Sequence, residues 1–216
     1  MSPAVTIRPA RPQDASLAAR LIYLTMGVEA DWLFGQEKGL STLEVLARLF
    51  ARRDHRAAYD LTHLAERDGQ AAGLLLAYPG RRLSGLNLRT GWQYLRLFGL
   101  RAALRLAKLQ PAYADLVESQ DDEFYISNIA VLPEYQGQGI GSVLMAYAEE
   151  LACKAGLRKC SLIVAFGHAP ARRLYERLGY AVDRVFSSAH PKVAEGSGGY
   201  HRMVKPLPAL AESLIR

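Results

Sequence analysis

Gln136-Gly137-Gln138-Gly139-Ile140-Gly141 combines residue types and spacing that can do chemistry. It follows an apolar run, Tyr125 to Leu132, and opens an apolar-periodic one, Ile140 to Leu151, so it reads as strand, glycine turn and helix. Glycines at alternate positions leave the backbone N–H groups, through Ser142, open to a large anion, and the helix start adds partial positive charge. Such a turn suits a phosphate. A dinucleotide fingerprint fails, because the last glycine of Gly-x-Gly-x-x-Gly counted from Gly137 falls on Ser142. A P-loop fails as well, because no lysine follows these glycines. An ordinary strand-to-helix turn is the plain alternative.

A second pattern lies downstream: His168-Ala-Pro-Ala171-Arg-Arg-Leu174-Tyr175-Glu-Arg-Leu-Gly179-Tyr180, after the apolar strand Cys160 to Phe166. Ala171, Leu174, Tyr175 and Leu178 sit at helical spacing, and Gly179 is placed to end the helix. With both patterns in this order, the chain from Phe124 to Phe186 resembles the GNAT superfamily of N-acetyltransferases. That family carries Arg/Gln-x-x-Gly-x-Gly/Ala and, some thirty residues later, Asn-x-x-Ala-x-x-Leu-Tyr-x-x-x-Gly-Phe/Tyr. A weaker likeness covers Val5 to Tyr23, and the middle of the chain carries no family motif.

The resemblance implies an α/β fold of the α+β type. Its mixed, mainly antiparallel central sheet is flanked by helices and splayed where the donor enters. It implies acetyl-CoA as donor, with no metal, and a primary amine as acceptor, on a small molecule or a peptide. The diphosphate would meet the amides of Gln136, Gly137, Gln138, Gly139, Ile140, Gly141 and Ser142. The pantetheine arm would add along the strand at Ile129, Ala130 and Val131, through the backbone groups of Ile129 and Val131. Ala171 and Tyr175 match the second motif, and Tyr175 matches the family's general acid. His168 departs from the family's Asn. An exposed helix-start residue and a contact to the arm are both open for it.

An exposed amine is mostly protonated and must lose a proton before attack. Glu123 and Tyr125 lie two apart on the expected strand, so both should face one side. The family base often comes from this strand. Tyrosine is a poor base at its usual pKa near 10, which ranks Glu123 first, directly or through water. A surface acid in Asp121-Asp122-Glu123 is the alternative, and Glu134 is a further candidate. Cys160 reads as a small core residue rather than a nucleophile. No cysteine or histidine spacing suggests a metal site.

Several elements must position these groups. Val5 to Pro9 reads as a strand and Gln13 to Tyr23 as a helix. Ser41-Thr-Leu-Glu44 is a capping box that starts another helix. Ala58 to Glu66 and Gln70 to Tyr78 read as strands about the turn Arg67-Asp68-Gly69. Leu83 to Glu118 reads as an amphipathic helical insert, with Leu97, Leu100, Leu104 and Ala107 on one stripe and Arg101, Arg105 and Lys108 on another. The strand at Glu123 to Val131 follows it. Tyr180 to Ser187 and Tyr200 to Lys205 should close the sheet as an antiparallel pair.

The 216 residues suit one domain, 1–216, with residues 81–120 as a basic insert. Half the residues are apolar, enough for a sizeable core. No apolar run approaches a membrane span. The start, Met1-Ser-Pro-Ala-Val-Thr-Ile-Arg, has no hydrophobic stretch suited to a signal peptide. Two cysteines are too few for a disulfide framework, so a cytoplasmic protein is the expectation. Gly196-Ser-Gly-Gly199 is too short for a domain linker. The net charge of +6 is local: Arg81 to Ala114 holds seven basic residues and no acid. That segment admits a solvated helix face, a contact to an acidic group, or a membrane or nucleic-acid patch. Without a nucleic-acid motif, no nucleic-acid partner is expected. We place the insert, with Met26 to Leu49, around the acceptor. A non-catalytic acyl-CoA sensor and a homodimer both stay open.

Overall fold

The computed structural model describes residues 5–35, 37–113, 115–187 and 197–208. Met1 to Ala4 and Gly196, used above for the leader and the glycine-serine cluster, lie outside them.

Strand β1 (Val5–Pro9) leads to helices α1 (Ala15–Met26), α2 (Val28–Phe34) and α3 (Thr42–Phe50). The Ser41 hydroxyl accepts from the Glu44 amide and the Glu44 carboxylate accepts from the Ser41 amide, so the expected capping box starts α3. Strands β2 (Thr62–Arg67) and β3 (Gln70–Pro79) form the expected hairpin. Asp68 and Gly69 both have positive φ (52° and 75°), as a two-residue turn matched to strand twist requires. Strand β2 starts later than expected, because Tyr59–Leu61 is a turn of 3-10 helix.

The insert is two helices, α4 (Leu83–Phe98) and α5 (Leu100–Leu109), broken at Gly99 with φ 89°. This break corrects the expected stripe. Leu97, Leu100, Leu104 and Ala107 count across it as though the helix were continuous. The side chains that bury are Leu86, in the core with Leu46 and Phe50, and Tyr94, Phe98, Ala102 and Leu106, packed on Val45 and Leu49 of α3. Leu100 and Leu104 stay exposed. Arg105 is not on a solvated face either. Its guanidinium bonds Glu37, the Tyr94 hydroxyl and the carbonyls of Trp32 and Leu33, which ties α5 to the end of α2. Arg82 and Arg89 both reach Asp54.

Strand β4 (Phe124–Val131), helix α6 (Ile140–Lys154), strand β5 (Lys159–Ala165), helix α7 (Ala169–Arg177) and strands β6 (Ala181–Phe186) and β7 (Tyr200–Pro206) complete the order. The seven strands form one sheet, β1-β2-β3-β4-β5-β7-β6. Every neighbouring pair is antiparallel except β4 with β5. Helix α6 buries Ile140, Leu144, Met145, Ala148 and Ala152 on one face of the sheet, beside Tyr175 of α7. Helices α1 and α3 cover the other face through Leu21, Ile22, Leu46 and Phe50. Gly73 permits the close packing of β3. A Cβ there would lie 2.9 Å from the Ala130 oxygen and 3.1 Å from Leu144 Cδ1.

Candidate active site

The one parallel pair is the structural origin of the site. Strands β4 and β5 are paired only over Phe124 to Ile126 against Cys160 to Leu162. Past that point β4 continues to Val131 and β5 to Ala165 without pairing, so the sheet opens into a wedge. A bulge sits at its apex. The register with β3 passes from Leu76 opposite Asn128 to Ala77 opposite Ile126, which leaves Ser127 as the extra residue.

Strand alternation decides which backbone groups face the gap. The Leu132 amide donates to Ala72 of β3, so Ala130 also faces β3. Ile129 and Val131 therefore turn their N–H and C=O groups toward the opening. The Val131 carbonyl accepts from the Gln136 side chain at 3.1 Å, which fastens the glycine turn to the strand end. Gly137 and Gly139 have φ of 74° and 81°, where only glycine is unstrained. Among the described residues, none of the amides from Gly137 to Ser142 donates to a backbone carbonyl, whereas the next amide, Val143, donates to Gly139. The start of the 15-residue helix α6 thus presents a row of open donors.

A cavity of about 890 Å³ runs through the wedge. Ile129, Ala130, Val131, Gln136, His168, Ala171, Tyr175 and Tyr125 line it, so the fold brings most of the expected residues together. The turn from Gly137 to Ser142 adjoins it through Gln136 without lining it. His168 is exposed at the start of α7. Tyr175 is buried, and burial pushes its phenol up to about 12.

Three base candidates do not fit that role. Glu123 lies just before β4 and does not line the cavity. It is buried in an ion pair with Arg202 of β7 and also accepts from the Gln120 amide. Burial acts to raise its carboxyl, but the bonds from Arg202 and Gln120 outweigh it and hold the group below its usual range. Arg202 also pairs with Asp183. The strand alternation that placed Glu123 beside Tyr125 gave no view of a cation on β7, 79 residues away in sequence. Tyr125 does line the cavity, but its phenol is raised well above 10, by burial first and by Glu118 second, so it keeps its proton. Glu134 lies in an exposed 3-10 turn outside the cavity. Cys160 is buried and pushed up to about 12, which makes it inert.

Past the wedge the cavity continues between α1, α2, α3 and the insert. The segments expected around the acceptor, Met26 to Leu49 and the insert, both line it. Its polar groups had no signal in the sequence. Arg56 pairs with Glu118, with one bond at 2.9 Å, and also contacts Asn87. Asn128 donates to Thr25 at 2.6 Å, which fixes α1 to β4. Glu29 is buried, one carboxylate oxygen takes the Tyr200 hydroxyl, and the other has no partner among the described residues. Among those residues no group of three or more His, Cys, Asp or Glu could hold a metal ion, and no helix is long and apolar enough to cross a membrane.

Known proteins share this fold. An N-acetyltransferase from Staphylococcus aureus Mu50 superposes with a TM-score of 0.67 over 92% of this chain and 99% of its own, at 22% identity, which shows the fold alone. Aminoalkylphosphonate N-acetyltransferase of Salmonella typhimurium is 34% identical over 121 residues, 56% of this chain and 69% of that protein. Streptothricin acetyltransferase of Streptomyces lavendulae is 35% identical over 83 residues, 38% of this chain and 43% of that protein. The stretches shared with the curated relatives span from 38% to 69% of those proteins' lengths. The description "Acetyltransferase (GNAT) family" matches residues 29–180, from α2 to the end of the second motif. With the wedge, the open amides and the α7 tyrosine all inside that match, the chain belongs to the GNAT acetyltransferase family.

Proposed function

We propose that this protein transfers an acetyl group from acetyl-CoA to a primary amine by direct attack. The observation that carries the proposal is the wedge: an unpaired strand edge and the buried Tyr175 line one cavity, and the open helix-start amides adjoin it through Gln136. Each part of the donor finds matching chemistry. The diphosphate suits the amides from Gly137 to Ser142. The arm's amides suit the gap-facing groups of Ile129 and Val131, as an added strand would. The thioester then lies toward the apex, where a backbone N–H near Ser127 can stabilise the oxyanion. Tyr175 donates to the departing thiolate. Relatives named for aminoalkylphosphonate N-acetylation and streptothricin acetylation support an amine acceptor.

The test is steady release of free thiol from acetyl-CoA with a panel of amines, with acylated amine formed in equal amount. An acyl-CoA sensor without catalysis would bind the donor and release none.

The turn gives a separate prediction. Gly139→Val puts a β-branched side chain at φ 81°, where L-residues are strained. Realigning the turn misdirects its amides, so affinity for acetyl-CoA falls by roughly tenfold to a hundredfold, measured by titration calorimetry. Unchanged affinity would place the diphosphate elsewhere.

A further inference from the structure

The acceptor end of the cavity is specific about charge. Among the described residues two carboxylates line it, Glu29 and Glu118. Glu118 is neutralised by two bonds from Arg56, the one arginine lining the cavity among the described residues. Glu29 is different. It is 8% exposed, Tyr200 holds one of its oxygens, and its Oε1 is buried with no partner among the described residues. An uncompensated carboxylate oxygen on a residue that lines a cavity asks for a cation.

Several of the remaining polar groups are engaged with neighbours, while Ser197 Oγ, also on the lining, has no partner among the described residues. Thr25 donates to the Ile22 carbonyl and accepts from Asn128. Thr90 donates to the Leu86 carbonyl and accepts from the Arg56 amide. Asn87 accepts from Arg56. Much of the wall is apolar, formed by Leu33, Phe34, Leu46, Leu49, Leu106 and Leu116. Exposed Leu24, Val28 and Leu88 belong to the same lining.

From this pattern we propose that the acceptor is an amphiphilic monoamine: a single primary ammonium on an apolar body. The ammonium sits on Glu29, and the body fills the chamber that α3 and the α4–α5 insert enclose. A second cation would meet apolar wall or Arg56, at a desolvation cost. An anionic group would find Arg56 already paired. Glu29 also supplies the base that Glu123 does not. One N–H proton passes from the ammonium to the Glu29 carboxylate, and the neutral nitrogen attacks the thioester carbon. The C–S bond then breaks, and the thiolate takes a proton from Tyr175. The second N–H proton lost as the amide forms restores Tyr175, so one proton is released overall.

This inference rests on the acetyl-transfer reading, and the experiment separates the two. Thiol release from acetyl-CoA is measured with propylamine, hexylamine and octylamine, with 1,8-diaminooctane, and with the tripeptide alanyl-glycyl-glycine. We expect kcat/KM to rise roughly fourfold per added methylene until the chamber is full. The diamine and the tripeptide should fall at least about tenfold below octylamine. Glu29→Gln, which keeps the bond from Tyr200, should lower kcat/KM for octylamine by about a hundredfold or more and leave acetyl-CoA affinity unchanged. Turnover of the tripeptide or the diamine equal to octylamine would overturn the amphiphile assignment and leave acetyl transfer standing. So would acetyl-CoA binding with no turnover of any alkylamine. Full activity in Glu29→Gln would overturn the role of Glu29. A chain that does not bind acetyl-CoA would overturn the functional reading itself.

Discussion

Tyr175→Phe lowers kcat by about 10²–10⁴-fold, the range for a positioned general acid, and leaves acetyl-CoA affinity close to wild type. Tyr175 lines the cavity at the wedge, and burial holds its phenol up to about 12. It is therefore protonated throughout the neutral range and can act only as a donor. An ordinary thiol near 8.5 would be too weak a base to take a proton from such a phenol. Burial raises a thiol as it raises a phenol, as Cys160 shows elsewhere in the core, so a leaving thiolate shielded from water is a stronger base than a free one. Phenylalanine preserves the packing beside Tyr180, so the loss falls on turnover and not on folding. Rapid-quench measurement of the chemical step decides the matter. A single-turnover rate equal to wild type would remove Tyr175 from the chemistry.

The second large effect is on stability. Arg202→Met removes the cation from a carboxylate that is 2% exposed. Removing one partner of a buried pair costs about 3–5 kcal/mol. For a chain of this length that corresponds to a drop in melting temperature of roughly 6–20 °C. The pH dependence has a definite sign. Glu123 is depressed in the folded state. Its contribution is present above the unfolded value near 4.3 and is lost as pH falls through the lower folded value. The wild type should therefore lose stability below about pH 4 by an amount that Arg202→Met does not show in acid titrations followed by circular dichroism. Glu123→Gln should be destabilised yet keep kcat and its pH profile in the folded fraction. A hundredfold loss of kcat there would return Glu123 to the role of base.

How far the chain alone carried these conclusions depends on sequence separation. The glycine turn, helix α6, strand β5 and helix α7 were legible because each is set by neighbours within a few residues: alternate glycines, apolar spacing, and a glycine stop at Gly179 with φ 89°. The capping box at Ser41 and the turn at Asp68-Gly69 are local in the same sense. The insert was half legible. Its helical character was plain, but the apolar stripe was counted across Gly99, and the break there rotates α5 so that Ala102 and Leu106 bury while Leu104 does not.

By itself the sequence determined the glycine turn with the helix behind it, the α7 tyrosine motif, and the family to which the chain belongs. The tertiary structure alone decided the charges of the site. Glu123 met Arg202 across 79 residues, Glu118 met Arg56 across 62, and Glu29 met Tyr200 across 171. Whether a carboxylate is a structural partner, a neutralised wall or an open ligand depends on which distant group the fold brings beside it, because burial penalises any charge left without one. No local spacing encodes that pairing.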